Sequence, residues 1–291
     1  MKFILTPVEN VDGLWFKRED KFIPFGKDSV NGGKLRQCFA LVDAIKDGFD
    51  GVISFCSIHS PQAPITSAVA NFYGLKCKIY YGGTTKETLS KCDMATIAKE
   101  YGAEINIVAK TGRHNVLLNK AKEYAEKNNY FVVEYGFNIV KYPKLLLDAI
   151  ANQVENIPNE LDNLIITCGS GITTTGILIG LKKFNKKVNK IYLVDTAPNR
   201  KEKIMKNLEK YDIDINDFNI EVIDIFNRRN FSYEKEIKVV YKGIDMHPQY
   251  EAKAFSWLYH ESGIDIHNNR NLFWIIGSKP KLRKRRCLKG Q

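Results

Sequence analysis

From about residue 50 onward the chain alternates short apolar runs with segments of helical spacing, and glycines stand at several of the junctions. Gly51–Cys56, Cys77–Tyr81, Ile105–Ala109 and Tyr130–Tyr135 are apolar runs of strand length. Between them, Ile65–Tyr73, Lys86–Tyr101 and His114–Lys127 read as helices, and Gly74 and Gly102 stand where a helix end can use positive φ. The pattern resumes with a helix over Lys144–Gln153, a strand over Asn163–Thr167, a helix over Thr173–Lys183 and a strand over Ile191–Asp195. A helix over Tyr250–His260 and a strand over Leu272–Ile276 close it, while residues 199–236 are polar and hard to place. Such alternation predicts an α/β fold of parallel sheets with helices on both faces. The simplest arrangement is two-lobed and open. Residues 1–45 and 140–291 form the larger domain and 46–139 a small α/β domain, with the ligand expected in the cleft between them, at the carboxyl ends of the strands.

The bulk properties fit that plan. A chain of 291 residues suits one large or two modest domains, and 44% hydrophobic with 26% charged residues is ordinary for a soluble globular protein. No apolar stretch approaches bilayer length, and the Met1–Pro7 start is too short for a signal peptide, so a cytoplasmic location is expected. The six cysteines form no CxxC pair, so no metal site is expected and the thiols read as small core residues. The net charge is +11, with an excess at the C-terminus in Lys279, Lys281, Arg283, Lys284, Arg285, Arg286 and Lys289. A solvated tail, a nucleic-acid contact and a membrane-surface contact all accommodate such a run.

Four segments carry candidate chemistry. Gly169-Ser170-Gly171-Ile172-Thr173-Thr174-Thr175-Gly176 joins a strand to a helix, where unpaired amides and the helix dipole favour an anion. A monophosphate, a dinucleotide and a plain tight turn are all open readings. Asp195 ends the next strand where a ribose-binding acid would lie, but the third glycine of GxGxxG is replaced by Thr174. In Asn31-Gly32-Gly33-Lys34-Leu35-Arg36 the lysine opens a helix, where the dipole disfavours a cation. It is either a surface lysine or an amine with a lowered pKa suited to a Schiff base. Ser57-Ile58-His59-Ser60-Pro61-Gln62 stands between strand and helix, with Ser60 as N-cap and Pro61 as first helical residue. His59 reads as structural on its own. In His247-Pro248-Gln249-Tyr250-Glu251-Ala252-Lys253, Glu251 and Lys253 are read equally well as solvated helix residues.

Taken in order, with Lys17-Arg18-Glu19-Asp20 before them and Gly277-Ser278 after, these segments resemble the fold type II (tryptophan synthase β-like) pyridoxal phosphate enzymes. The nearest group is 1-aminocyclopropane-1-carboxylate deaminase and D-cysteine desulfhydrase, and the likeness runs from about residue 14 to 278. The resemblance implies pyridoxal 5'-phosphate as cofactor, Lys34 as its Schiff-base lysine, and Gly169, Ser170, Gly171, Ile172, Thr173, Thr174 and Thr175 as its phosphate loop. It implies Ser60, Gln62 and His59 near the substrate, Tyr250 as a catalytic nucleophile or acid–base group, and Glu251 at the pyridine nitrogen. It also implies a homodimer. The implied activity is deamination or lyase chemistry at Cα of an amino-acid-like substrate.

Three departures bear on the substrate half: Pro61 replaces the usual Asn, Pro64 replaces Arg, and the deaminases' second tyrosine has only Tyr233 and Tyr241 as candidates. With the basic tail, they open a first alternative. Some bacterial viruses carry enzymes of this fold that decarboxylate or rearrange amino-acid adducts on DNA bases, and a compact version rich in lysine and asparagine resembles those. A second alternative is a catalytically inactive binding protein of the same fold.

Overall fold

Two parallel sheets organise the chain, which is described here from a computed structural model over residues 4–137, 142–196, 200–225 and 235–282. The strands are β1 (Val8–Val11), β2 (Leu14–Arg18), β3 (Gly51–Phe55), β4 (Lys76–Gly82), β5 (Glu104–Ala109), β6 (Tyr130–Val133), β7 (Glu160–Cys168), β8 (Lys187–Asp195), β9 (Ile220–Asp224), β10 (Val240–Tyr241), β11 (Ile244–Asp245) and β12 (Asn271–Ile275). The α-helices are α1 (Gly33–Ile45), α2 (Gln62–Phe72), α3 (Lys86–Ser90), α4 (Asp93–Glu100), α5 (His114–Asn128), α6 (Pro143–Ala151), α7 (Ile172–Lys183), α8 (Lys201–Leu208) and α9 (Glu251–His260). They fall into two units, one of Met1–Phe22, Gly32–Ala40 and Ile139–Lys279, the other of Ile23–Asn31, Leu41–Asn138 and Pro280–Gln291.

In the first unit six strands lie in the order β1-β2-β12-β7-β8-β9. β1 and β2 form a hairpin around Asp12-Gly13, both at positive φ (50° and 91°), as a tight strand-to-strand turn requires. All other pairings in this sheet are parallel. The last strand, β12, slots between β2 and β7, with Ile275 level with Arg18 and Trp274 level with Ile166. The carboxyl ends of β2, β12, β7 and β8 therefore share one edge of the sheet. Residues Glu19, Ile276, Gly169 and Thr196 follow those ends directly. Phe16, Ile165, Val194 and Phe273 pack on one face against Phe255 and Leu258 of α9. Burying both faces of parallel strands removes alternation, and Leu272, Phe273, Trp274 and Ile275 are all buried.

In the second unit the order is β5-β4-β3-β6, parallel throughout. β3 is buried at every residue. Leu117, Ala121 and Ala125 of α5 pack on Ile53, Phe55 and Tyr80.

The α/β parallel-sheet expectation holds, and most elements lie within a few residues of their expected places. One does not: the single helix expected over Lys86–Tyr101 is two, α3 and α4. Cys92 between them is extended (φ −92°, ψ 114°), and its thiol donates to the Ile58 carbonyl at 2.9 Å, which draws the chain out of helix. The segment called hard to place holds α8 and β9. Residues 226–234, with Tyr233, lie outside the described residues, as do Arg283 to Lys289 of the basic tail. No described helix is long and apolar enough to cross a membrane, and no cluster of metal-binding side chains occurs among the described residues. Cys38, Cys56, Cys77 and Cys168 are buried.

Candidate functional site

The lysine loop is built from the end of β2 and the start of α1. Each member of Lys17-Arg18-Glu19-Asp20 has a local task. Lys17 Nζ donates to the Thr6 carbonyl (2.9 Å) and Asn156 Oδ1 (2.6 Å), and burial pulls its pKa down to about 7. Arg18 pairs with Asp20. Glu19 and Arg36 form a fully buried ion pair, Nη1 to Oε1 at 3.0 Å, with the guanidinium 4.5 Å over the Phe22 ring. Burial pushes the Glu19 carboxyl up, and the Arg36 and Lys17 charges oppose that push.

Gly32 and Gly33 bring this loop against the end of β12. Gly32 has φ +91°, and a Cβ there would run into the Ile276 carbonyl. The Gly33 N–H donates to that same carbonyl at 2.8 Å. The Ile276 N–H in turn donates to Glu251 Oε1 at 3.1 Å. One residue, Ile276, thus fixes both the start of α1, where Lys34 is the second residue, and the start of α9, where Glu251 is the first. Lys34 Nζ lies 5.7 Å from the centroid of the Tyr250 ring.

Charge follows burial at this edge. Glu251 is 2% exposed, and burial raises its pKa to about 7, against backbone hydrogen bonds and the Lys34 charge that favour the anion. His247, its ring 4.8 Å from that of Tyr250, is driven down to about 3 by burial and by the Lys34, Lys279 and Lys253 charges. It is therefore neutral. Its Nδ1 accepts the Gln249 N–H at 3.3 Å, which leaves the proton on Nε2.

The glycine loop follows β7 on the same edge. Gly171 has φ +81° and packs against Ile204 and Arg200, where a Cβ would come within 3.0 Å and 3.3 Å. Gly169 faces open space, with nothing within 4 Å of a Cβ placed there. The Thr175 N–H and hydroxyl both return to the Gly171 carbonyl at 2.9 Å. The first turn of α7 carries no acid. The Thr174 hydroxyl is buried beside the Cys168 thiol. An open glycine, free first-turn amides and no carboxylate in the first turn fit a phosphate monoester. Asp195 is 2% exposed, so it is not presented to a ribose, and burial raises its pKa to about 6.

The serine–proline segment lies in the second unit. α2 starts at Gln62, with Pro61 at its N-cap, one residue later than expected. Ser60 Oγ still accepts the Gln62 N–H at 3.3 Å. The Gln62 side chain is 1% exposed. It donates to Ser54 Oγ (2.8 Å) and the Glu134 carbonyl (3.0 Å), and accepts from the Gly136 N–H (2.7 Å). Ser60 is 4% exposed and His59 half-buried. Tyr241, one candidate for a second tyrosine, is a packing residue, its ring 5.0 Å from Phe255 and 5.9 Å from Phe16. The sequence motifs contain Glu19, Arg36 and His247 without a role for them, and Arg200 lies in none, because buried charge and ring contact depend on residues distant in the chain.

The chain is similar to known proteins over nearly its whole length. The model of the family described as Pyridoxal-phosphate dependent enzyme matches residues 5–264. An O-seryl-dTMP PLP-dependent decarboxylase of Salmonella phage ViI is 26% identical over 334 residues, which cover 92% of this chain and 78% of that protein. The mitochondrial bifunctional D-cysteine desulfhydrase/1-aminocyclopropane-1-carboxylate deaminase of Arabidopsis thaliana is 24% identical, covering 88% of this chain and 69% of that one. Among solved structures, an ACC deaminase homologue superposes with a TM-score of 0.72 at 19% identity, covering 96% of this chain and 90% of the other.

Proposed function

The chain belongs to the pyridoxal-phosphate dependent enzyme family, and from that premise we propose that it breaks a bond at Cα of an amino-acid-like substrate, with Lys34, Tyr250 and Glu251 as the working residues. The observation that carries this reading is the double anchorage on Ile276, which ties the backbone beside Lys34 and the carboxylate of Glu251 to the C=O and N–H of one residue (2.8 Å and 3.1 Å).

The residues present fit the cofactor. Lys34 Nζ would hold it at its aldehyde carbon, and the Gly169–Thr175 loop would hold its phosphate. Glu251, on rigid backbone, would keep a proton at the pyridine nitrogen. The bound cofactor supplies an electron sink for the pair released at Cα. Lys34 would move a proton at Cα, and Tyr250, whose ring stands 5.7 Å from the lysine nitrogen, would act as the opposing acid–base group. The Ser60 hydroxyl and the His59 ring are assigned to the substrate carboxylate. Gln62 supports that segment through the 134–136 backbone.

Deamination or β-elimination of a small amino acid is the first reading. A second, decarboxylation of a seryl group carried on a thymidine nucleotide, is favoured by the phage relative, which aligns with 92% of the chain. Of the basic tail, Lys279 is paired with Glu236 at 2.9 Å and Lys281 with Asp28 at 3.3 Å. A nucleotide or amino-acid-modified DNA is the partner in this second reading, and homodimer formation is expected from the resemblance.

The test is a substrate panel on the purified, cofactor-loaded protein: aminocyclopropane carboxylate, D-cysteine, D- and L-serine and O-seryl-dTMP. Keto acid with ammonia supports the first reading and carbon dioxide from O-seryl-dTMP the second. Lys34→Ala should lose both the visible absorbance of lysine-bound cofactor and all turnover. Turnover that survives Lys34→Ala would refute the assignment.

A further inference from the structure

Arg200 is the N-cap of α8, which follows the end of β8, and it touches both glycines of the phosphate loop. Its Nε donates to the Gly169 carbonyl at 3.4 Å. Its Cβ packs so close to Gly171 that a Cβ on that glycine would stand 3.3 Å away. Ile204, one turn further along α8, closes on Gly171 from the same side, and its N–H donates to the Arg200 carbonyl at 3.0 Å. The backbone bearing Arg200 is thus fixed against the loop, and the side chain reaches along it toward the glycine that faces open space.

A guanidinium has five N–H donors in a planar fork, and the Gly169 contact occupies only the Nε–H. The same loop offers the first-turn amides that a helix leaves unpaired, and no first-turn carboxylate. Arg200 also acts electrostatically on the buried Asp195 carboxyl, whose ionised form its charge favours. A cation anchored on the Gly169 carbonyl stands beside the glycine that faces open space. Amides with a bidentate arginine fork are well matched to a phosphoryl group.

We propose that Arg200 is a side-chain ligand for a phosphoryl group seated on the Gly169–Thr175 loop. Two molecules present that chemistry, the phosphate of the cofactor and the phosphate of a nucleotide substrate. The proposal rests on family membership and on this loop, not on which amino-acid-like substrate is turned over.

The experiment compares wild type, Arg200→Lys and Arg200→Ala as full-length protein. It measures equilibrium binding of pyridoxal 5'-phosphate and of pyridoxal, which lacks the phosphoryl group, by visible absorbance, and of dTMP to the loaded protein by calorimetry. Loss of a charge-assisted contact should weaken pyridoxal 5'-phosphate about ten- to a hundredfold in Arg200→Ala, with Arg200→Lys in between. Pyridoxal should change by less than about threefold, since no charge-assisted contact is lost. If dTMP binding to the loaded protein weakens while the cofactor's does not, Arg200 serves a phosphoryl group away from the loop and the proposal is overturned. The proposal is overturned if neither phosphorylated ligand loses affinity in a variant that melts like wild type, or if pyridoxal weakens as much as its phosphate. Should Arg200→Ala fail to fold, the same comparison is read from Arg200→Lys.

Discussion

The carboxylate of Glu19 occupies the space where a Cβ on Gly33 would stand. That carboxylate is fully buried and held through its other oxygen by Arg36. Gly33 is a glycine because of a side chain at the end of a different element. The pair sets where the backbone next to Lys34 runs.

Gly33→Ala should therefore destabilise the protein by about 1–3 kcal/mol, the usual cost of forcing an extra carbon into a packed site. It should also shift or abolish the visible band of lysine-bound cofactor, because Lys34 is the next residue. Urea unfolding and an absorbance scan after cofactor addition check both. A variant with wild-type stability and spectrum would show that Glu19 yields.

Glu251 links stability to pH. Its folded pKa of about 7 stands above the ordinary 4.5, so the native state without cofactor holds a proton that the unfolded chain releases. The stabilising contribution is present in full below pH 4.5 and is lost as pH rises through 7. Over that window it amounts to on the order of 3 kcal/mol. Lys17, with a folded pKa of about 7, titrates nearby and acts in the opposite sense, so the test is a difference. Apo wild type, compared with apo Glu251→Gln by urea unfolding from pH 5 to 8, should lose stability relative to the variant as pH rises. Parallel curves would remove Glu251 as the linked group.

Gln62 braces the 134–136 turn from inside the second unit. Gln62→Leu keeps the volume roughly constant and removes every polar contact of the side chain, stranding the Gly136 N–H. That group alone should cost about 1–3 kcal/mol. Thermal melting reads the loss. Amide hydrogen exchange at Gly136 should rise with it, and exchange as slow as in wild type would mean another acceptor has replaced Gln62.

Gly176 lets α6 and α7 approach closely. A Cβ there would come within 2.6 Å of the Ile150 Cβ. Gly176→Ala should lower stability by about 1–3 kcal/mol through overpacking. Ile150→Ala in the same chain removes the Cγ2 and Cδ1 contacts, so the double variant should lose less than the sum of the two single losses, as expected for two contacting residues. Additive losses in the double variant would separate the two sites.

Local features carried much of this fold in the sequence. The strand–helix alternation is legible because burying both faces of a parallel sheet leaves near-continuous apolar runs such as Leu164–Thr167 and Leu272–Ile275. The Gly169–Thr175 loop is legible because its positive-φ glycine and its first-turn hydroxyls are neighbours in the chain. The β1–β2 hairpin also had a local signal in Asp12-Gly13, although the alternation begins only later. The break at Cys92 had none, since it depends on a carbonyl at Ile58.

What the sequence by itself determined is thus most of the elements after residue 50 and the residue types at the candidate site: an amine at 34, a glycine- and threonine-rich loop at 169–175 and a carboxylate at 251. What only the tertiary structure decided is their joint placement. β12 enters the sheet between β2 and β7, which puts the Ile276 peptide between the backbone at Gly33 and the carboxylate of Glu251. The physical reason is that register in a parallel sheet is fixed by pairing between strands far apart in the chain. The same pairing determines which charges are buried together, as with Glu19 and Arg36, and which arginine comes to rest against a glycine loop.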